Sequence, residues 1–216
     1  MKTLREINCK KIFRSAYEKR YTWENHFNGY KGKCIFSDNE SFLEGTFLLG
    51  KDFKPEIKDI DDEKIKKSIE SQLFEVCIHR VKRDFQSIHA ENNFKLLKNS
   101  EFGIDMIVFG KNEGDKYRVQ DDRINMVFRK IHGVIIEIFV KEFFDTGMGF
   151  LSKKYSSQQL DSNSLLPKSQ KLEYEDNFKK INSNGLWVLE SRIIKSFNEK
   201  NKEIINKFIF SDLSEI

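Results

Sequence analysis

The stretch DDEKIKKSIESQLFEVCIHRVKRDFQSIH, Asp61–His89, decides how the chain is read. Ile65, Ile69, Leu73, Val76, Val81, Phe85 and Ile88 recur near every fourth residue, the spacing of an α-helix with one apolar face. Asp61 stands where an N-cap belongs, and Asp62 and Glu63 suit a positive first turn. The pattern predicts one amphipathic helix of about seven turns, whose apolar face must lie on another layer.

The flanking sequence supplies that layer. Residues 7–21 read as a first helix, with Ile12, Phe13, Ala16 and Tyr17 on one side. YKGKCIF and SFLEGTFLL read as strands joined by the turn SDNE. Pro55 keeps the next extended stretch out of a central strand position. From Phe94 onward the pattern changes to strands: FGIDMIVFG, KYRVQ, RINMVFRKI, GVIIEIFVKEFF, GFLSKKYSSQQL, QKLEYEDNFKKI and LWVLESRIIKSF, separated by turn formers. VIIEIFV is apolar on both faces except Glu137 and predicts a central strand under a helix. The tail KEIINKFIFSDLSEI reads as a short final helix. Helices early and hairpin-linked strands late do not make alternating βαβ units. The expected fold is α+β and a single domain over residues 1–216. It is a curved antiparallel sheet, a half-barrel, packed on the long helix, with an N-terminal helix beside it.

Composition narrows the function classes. The 216 residues include 38 basic and 34 acidic side chains, a net charge of +4. That balance lacks the one-sided charge of a dedicated nucleic-acid binder, so no nucleic-acid partner is expected. Three cysteines, Cys9, Cys34 and Cys77, are an odd number with no paired spacing, which predicts reduced thiols in a reducing compartment. The first 21 residues are charged throughout and resemble no signal peptide. No window is long and apolar enough for a transmembrane segment. A soluble, cytoplasmic protein is the expectation, and a pI near 8.8 permits peripheral contact with a membrane.

The run IHRVKRDFQSIH, Ile78–His89, raises the question of chemistry. His79 and His89 are ten residues apart. On one helix they diverge by roughly 80° and about 15 Å along the axis, so they cannot share an ion. No metal and no cofactor is expected. Glu75 and Asp84 favour local ion pairing of the basic cluster over a phosphate grip. His79, Arg80 and Arg83 are the candidates from this run for the rim of a ligand cavity. FFDTGMGF, Phe143–Phe150, echoes the active-site turn of aspartic proteases. The triplet occurs once, and Asp145 and Gly147 equally suit a hairpin turn. In RYTWENHFNGY, Arg20–Tyr30, Trp23 and Phe27 suit the cap of a core while Glu24 and His26 meet water; a ligand rim is the other reading. Serine-hydrolase and phosphate-loop motifs are absent.

Four blocks appear in order: FRSAYEKRYTWENHFNGYKG, DFKPEIKDIDDEKIKKSIESQLFEVCIHRVKRDF, MVFRKIHGVIIEIFVKEFFDTGMGFLSKKY and YEDNFKKI. Together they resemble an uncharacterised family of cyanobacterial and plastid proteins, DUF3386-like, from about Phe13 to Phe197. The resemblance implies a photosynthetic cell and transfers no catalytic residue. The reading that follows is a non-enzymatic binding, carrier or assembly protein. It has a concave apolar site for a lipid, a pigment or a protein segment, with a hydrophobic small molecule or a photosynthetic protein as partner. Trp23, Tyr30, His79, Arg80, Arg83 and Asp145 are its candidate binding residues. The alternative is an enzyme acting on a small amphiphile through His79, Arg83 or Asp145.

Overall fold

A computed structural model describes residues 7–182 and 185–216. The elements run α1 (Cys9–Glu18), β1 (Gly29–Ser37), β2 (Phe42–Gly50), β3 (Pro55–Lys58), α2 (Glu63–Arg80), α3 (Phe85–His89), β4 (Asn92–Ser100), β5 (Gly103–Gly110), β6 (Lys116–Gln120), β7 (Arg123–Ile131), β8 (Val134–Asp145), β9 (Phe150–Asp161), β10 (Leu172–Lys180), β11 (Trp187–Phe197) and β12 (Glu203–Glu215). The strands form a twelve-stranded antiparallel sheet in the order β3-β2-β1-β12-β11-β10-β9-β8-β7-β6-β5-β4.

The expected half-barrel on one long helix is therefore wrong. The helix predicted across Asp61–Ile88 is two helices. α2 ends at Arg80, where Val81 turns extended with ψ 123°. The Trp23 amide donates to the Arg80 carbonyl at 2.7 Å, and Trp23 and Val81 form a parallel bridge. A tertiary partner thus takes the carbonyl that would have continued the helix. Asp84 then caps α3 through its carboxylate, which accepts from the Ser87 amide at 3.0 Å. The cap of α2 is Asp62, one residue beyond the expected Asp61; its carboxylate accepts from the Lys64 and Ile65 amides.

The tail is the second correction. It is strand β12, paired with both β1 and β11. Phe208 and Phe210 are fully buried while Lys207 and Ile209 are exposed, an alternation of period two that only a strand satisfies. Strand β4 lay outside the expected set, and β3 sits at the sheet edge with Pro55 as its first residue.

The chain divides into two compact units. Unit 1 comprises residues 1–20, 83–143 and 155–171. Its α1 presents Cys9, Phe13, Ala16 and Tyr17 to a core completed by Phe85, Met106, Val108, Tyr117 and Val119. α1 packs over β4, β6 and β7; β8, expected beneath a helix, is half-buried along most of its length. Unit 2 comprises residues 21–82, 144–154 and 172–216. There α2 lays Ile69, Leu73, Val76 and Cys77 on a core of Tyr30, Phe36, Phe47, Leu49, Leu189, Phe208 and Phe210. The apolar repeat of the opening stretch is divided accordingly: Ile69, Leu73 and Val76 serve unit 2, and Phe85 serves unit 1.

Candidate functional site

Unit 2 contains a buried polar centre built by strand register. In β10, Tyr174, Asp176 and Phe178 alternate with more exposed residues; in β11, Arg192 and Ile194 are both buried. Antiparallel pairing sets Asp176 directly opposite Arg192. The guanidinium donates from Nε to Asp176 Oδ1 at 2.8 Å and from Nη2 to Oδ2 at 2.7 Å, a bidentate pair with both side chains buried. Arg192 Nη1 donates to Gln72 Oε1 at 3.0 Å and lies 3.3 Å from Glu75 Oε2. Gln72 and Glu75 are on α2, so this cation ties the helix to the sheet. Glu75 was expected to pair within its own helix; its carboxylate also reaches across to Arg192. Burial, with Glu75 nearby, pushes the Tyr174 phenol up to about 12.

Beside this centre lies an open groove of about 520 Å³. Its walls include Phe144, Phe178 and Ile209 together with Lys153, Lys179 and Lys207. Its acids are Asp176, held by Arg192, and Glu190. Glu190 owes its position to a β-bulge: Asn177 pairs Ser191 but Phe178 pairs Leu189, leaving Glu190 without an opposite residue. Lys179 and Lys207 make no ion pair among the described residues. The result is an amphipathic groove in which lysines outnumber acids.

At the C-terminal end of α2 stands an aromatic stack. Trp23 and Phe27 lie 4.1 Å apart at 12°, and Phe53 stacks on Phe27 at 6.0 Å and 3°. Trp23 Nε1 donates to the Trp187 carbonyl at 3.1 Å. Phe53 holds a left-handed backbone, φ 59°, closed by its amide donating to the Gly50 carbonyl. Tyr30 is fully buried against Trp23, Phe27 and Phe47. Its hydroxyl has no hydrogen-bond partner, and burial raises its pKa far above the ordinary phenol value. Burial likewise pushes the neighbouring Cys77 thiol up to about 12.

The six expected binding residues are thus only partly assembled. Trp23, Tyr30 and Arg80 come together: the Arg80 carbonyl holds the Trp23 amide, and its guanidinium stands 5.8 Å from the centre of the Phe178 ring. His79 is exposed on α2. Arg83 is exposed in unit 1, where its carbonyl accepts from the Tyr17 hydroxyl at 3.2 Å. Asp145 is exposed and builds a hairpin: its carboxylate accepts from the Gly147 amide at 2.8 Å, and Gly147 has φ 78°. Glu24 and His26 are exposed beside buried Trp23 and Phe27. Asp176, Arg192 and the groove lysines escaped the sequence reading. The available signal was an acid and a base each placed in the apolar register of neighbouring strands.

Unit 1 holds a buried histidine. His89 lies edge-on to Phe13 and Tyr17 and tilted against Phe85, each at 5.2 Å. Its Nδ1 is 2.9 Å from Asn92 Nδ2, which makes that ring nitrogen the acceptor. Burial, followed by the charges of Arg129, Arg20 and Lys10, brings its pKa down to about 4. His79 and His89 thus belong to different units and different environments. Among the described residues no group of three or more His, Cys, Asp or Glu is placed to hold a metal.

The family model for a protein of unknown function, DUF3386, matches residues 4–216. The chain belongs to that family. Among curated proteins none matches in sequence. The family fold has distant likenesses among solved structures. A LolA superfamily protein from Nitrosomonas europaea is 10% identical with a TM-score of 0.39, covering 98% of this chain and 94% of its own. A DUF1329 family protein from Desulfovibrio piger is 11% identical with a TM-score of 0.33, covering 97% and 94%. A chain of the Pseudomonas aeruginosa MucA/MucB complex is 7% identical with a TM-score of 0.25, covering 94% and 93%.

Proposed function

We propose that this DUF3386 protein is a non-enzymatic binding protein whose unit 2 groove takes an amphiphile with an anionic group. The observation that carries the reading is the composition of that groove: aromatic and aliphatic wall residues beside Lys153, Lys179 and Lys207. Its volume of about 520 Å³ falls in the range of small-molecule sites. Apolar walls favour a hydrocarbon or ring body, and lysines favour a carboxylate, phosphate or sulfate head. The buried polar groups beside it are engaged with one another: Arg192, Asp176 and Gln72 form a strut rather than a set poised on a reacting atom. That supports binding over catalysis. Three free, buried thiols support a reducing, cytoplasmic location, and the photosynthetic setting implied by the sequence resemblance belongs to the same proposal. No described helix is long and apolar enough to cross a membrane.

Oleate titration tests this reading. Trp187 stands 4.9 Å from the groove residue Phe144, so its emission reports occupancy once Trp23 is changed to Phe. A saturable change is expected, with affinity weakened roughly tenfold in Lys179→Ser/Lys207→Ser from the loss of two headgroup charges. No saturable change, or equal affinity in the variant, would sink the proposal.

A further inference from the structure

Unit 1 carries a second surface, unrelated to the groove. Between β9 and β10 the chain makes the loop Asp161–Lys171, and its tip shows Leu165 and Leu166 to solvent at 53% and 66% exposure. This is a built feature. The Asp161 carboxylate accepts from the Asn163 amide at 3.0 Å and from the Ser164 amide and hydroxyl at 2.9 and 3.1 Å, and it pairs with Lys168 at 3.3 Å. The Asp161 amide donates to the Leu166 carbonyl at 2.8 Å, and the Leu165 amide donates back to the Asp161 carbonyl at 3.0 Å. Leu160 bridges Pro167 just behind the tip.

Within that frame Leu165 holds φ 60°, a left-handed backbone that a branched, bulky residue adopts only when its surroundings impose it. Polar residues or glycine would occupy such a tip without strain and without leaving apolar side chains in water. A loop whose hydrogen bonds hold two leucines outward is accounted for by something apolar that receives them.

Antiparallel connectivity identifies what shares this end of unit 1. Successive hairpins alternate ends, so the β5–β6 turn, the β7–β8 turn and the β9–β10 loop emerge together. The first contributes Lys111, the second Lys130, Ile131 and His132, and the third Leu165, Leu166 and Lys171, all of them exposed. Lys111, Lys130 and Lys171 make no ion pair among the described residues. The acids at this end are Glu91 and Glu113, which are exposed, Asp115, which is buried against Arg129, and Asp161, whose carboxylate is used inside its own loop. Exposed leucines at the same end as unpaired lysines match the chemistry of a lipid interface, acyl chains below and anionic headgroups above. A protein partner would instead call for a broad apolar patch, and the leucines stand on one narrow loop.

We propose that this end of unit 1 is a membrane-docking face, with Leu165 and Leu166 entering the interface and Lys111, Lys130 and Lys171 meeting anionic headgroups. The full chain should sediment with vesicles of phosphatidylcholine and phosphatidylglycerol in equal parts, and at least tenfold less with phosphatidylcholine alone. Leu165→Ser/Leu166→Ser should lose most of that binding with its thermal midpoint retained; Leu166→Ser, which leaves the strained position untouched, should lose part of it. Lys130→Ser/Lys171→Ser should lose the preference for anionic vesicles, and added salt should mimic it. Wild-type protein that stays in the supernatant overturns the proposal, and so does a leucine variant that still sediments. A wild-type oligomer, without vesicles, that the leucine variant dissolves would overturn it as well by assigning the face to a second copy. Oleate binding in the unit 2 groove should be unchanged in every variant, which keeps the two proposals separable.

Discussion

Each unit buries polar groups, and the groups that decide its response to mutation and to acid differ. Unit 2 buries charge: Arg192 and Asp176 are both about 3% exposed and satisfy each other through two short hydrogen bonds, with Gln72 and Glu75 closing the set. Unit 1 buries one carboxylate, Asp115, against the more exposed Arg129, and also a neutral ring: His89 sits among Phe13, Tyr17 and Phe85, bonds Asn92, and stays uncharged because burial and nearby cations depress its pKa. An ion pair in a core is held together by its geometry, and removal of either partner leaves a stranded charge. A neutral histidine is indifferent to its neighbours' charge until acid forces a proton onto it. The two cores should therefore fail under different insults.

The largest effect should come from Arg192→Met. Asp176 would keep its burial and lose its cation, at a cost of about 3–5 kcal/mol in denaturant unfolding. The double variant Arg192→Met/Asp176→Leu should recover most of that loss, since apolar packing often replaces a buried pair without penalty. A double variant as unstable as the single one would mean that the pair contributes more than mutual satisfaction.

Acid should find the other core. His89 has a folded pKa of about 4 against an ordinary value of 6.5. Between those values the unfolded chain binds the proton and the folded chain does not, so stability is fully present above pH 6.5 and falls as pH drops toward 4. The loss should reach about 3 kcal/mol. His89→Gln should remove this component from a stability–pH profile. Identical slopes in the two proteins would contradict a neutral, buried ring.

The smallest effect belongs to Tyr30. Its hydroxyl is buried without a partner, so Tyr30→Phe removes an unsatisfied group and leaves the ring contacts with Trp23, Phe27 and Phe47 in place. Thermal unfolding should show no destabilisation, and a gain of up to about 1 kcal/mol is expected. A clear loss would show that the hydroxyl has a partner in solution.

This contrast also explains what the sequence made legible. α1 and most strands were readable because their apolar faces follow one period from end to end. The stretch Asp61–His89 misled because α2 and α3 keep the same phase although they serve different cores, and no Gly or Pro marks the break at Val81. The tail misled because Ile204, Ile205 and Phe208 mimic helical spacing; the exposed Ile209 between buried Phe208 and Phe210 was the better guide. Charged residues were harder. Local spacing suggested only a partner for Glu75 on its own helix, and gave no hint of the arginine more than a hundred residues away that its carboxylate also reaches. No one-dimensional pattern encodes such a contact. Asp145 was read correctly as a hairpin residue because its chemistry is local.

On the proposed function, ligand binding belongs to unit 2 and leaves unit 1 untouched. Hydrogen exchange of the whole chain, with and without saturating oleate, addresses it most directly. Slower exchange is expected in β10, β11 and β12, at amides such as Ser191, Ile193 and Ile209, with unchanged exchange in β4 to β7. Protection confined to β4–β7, or no protection at an oleate concentration that saturates any bound signal, would contradict it.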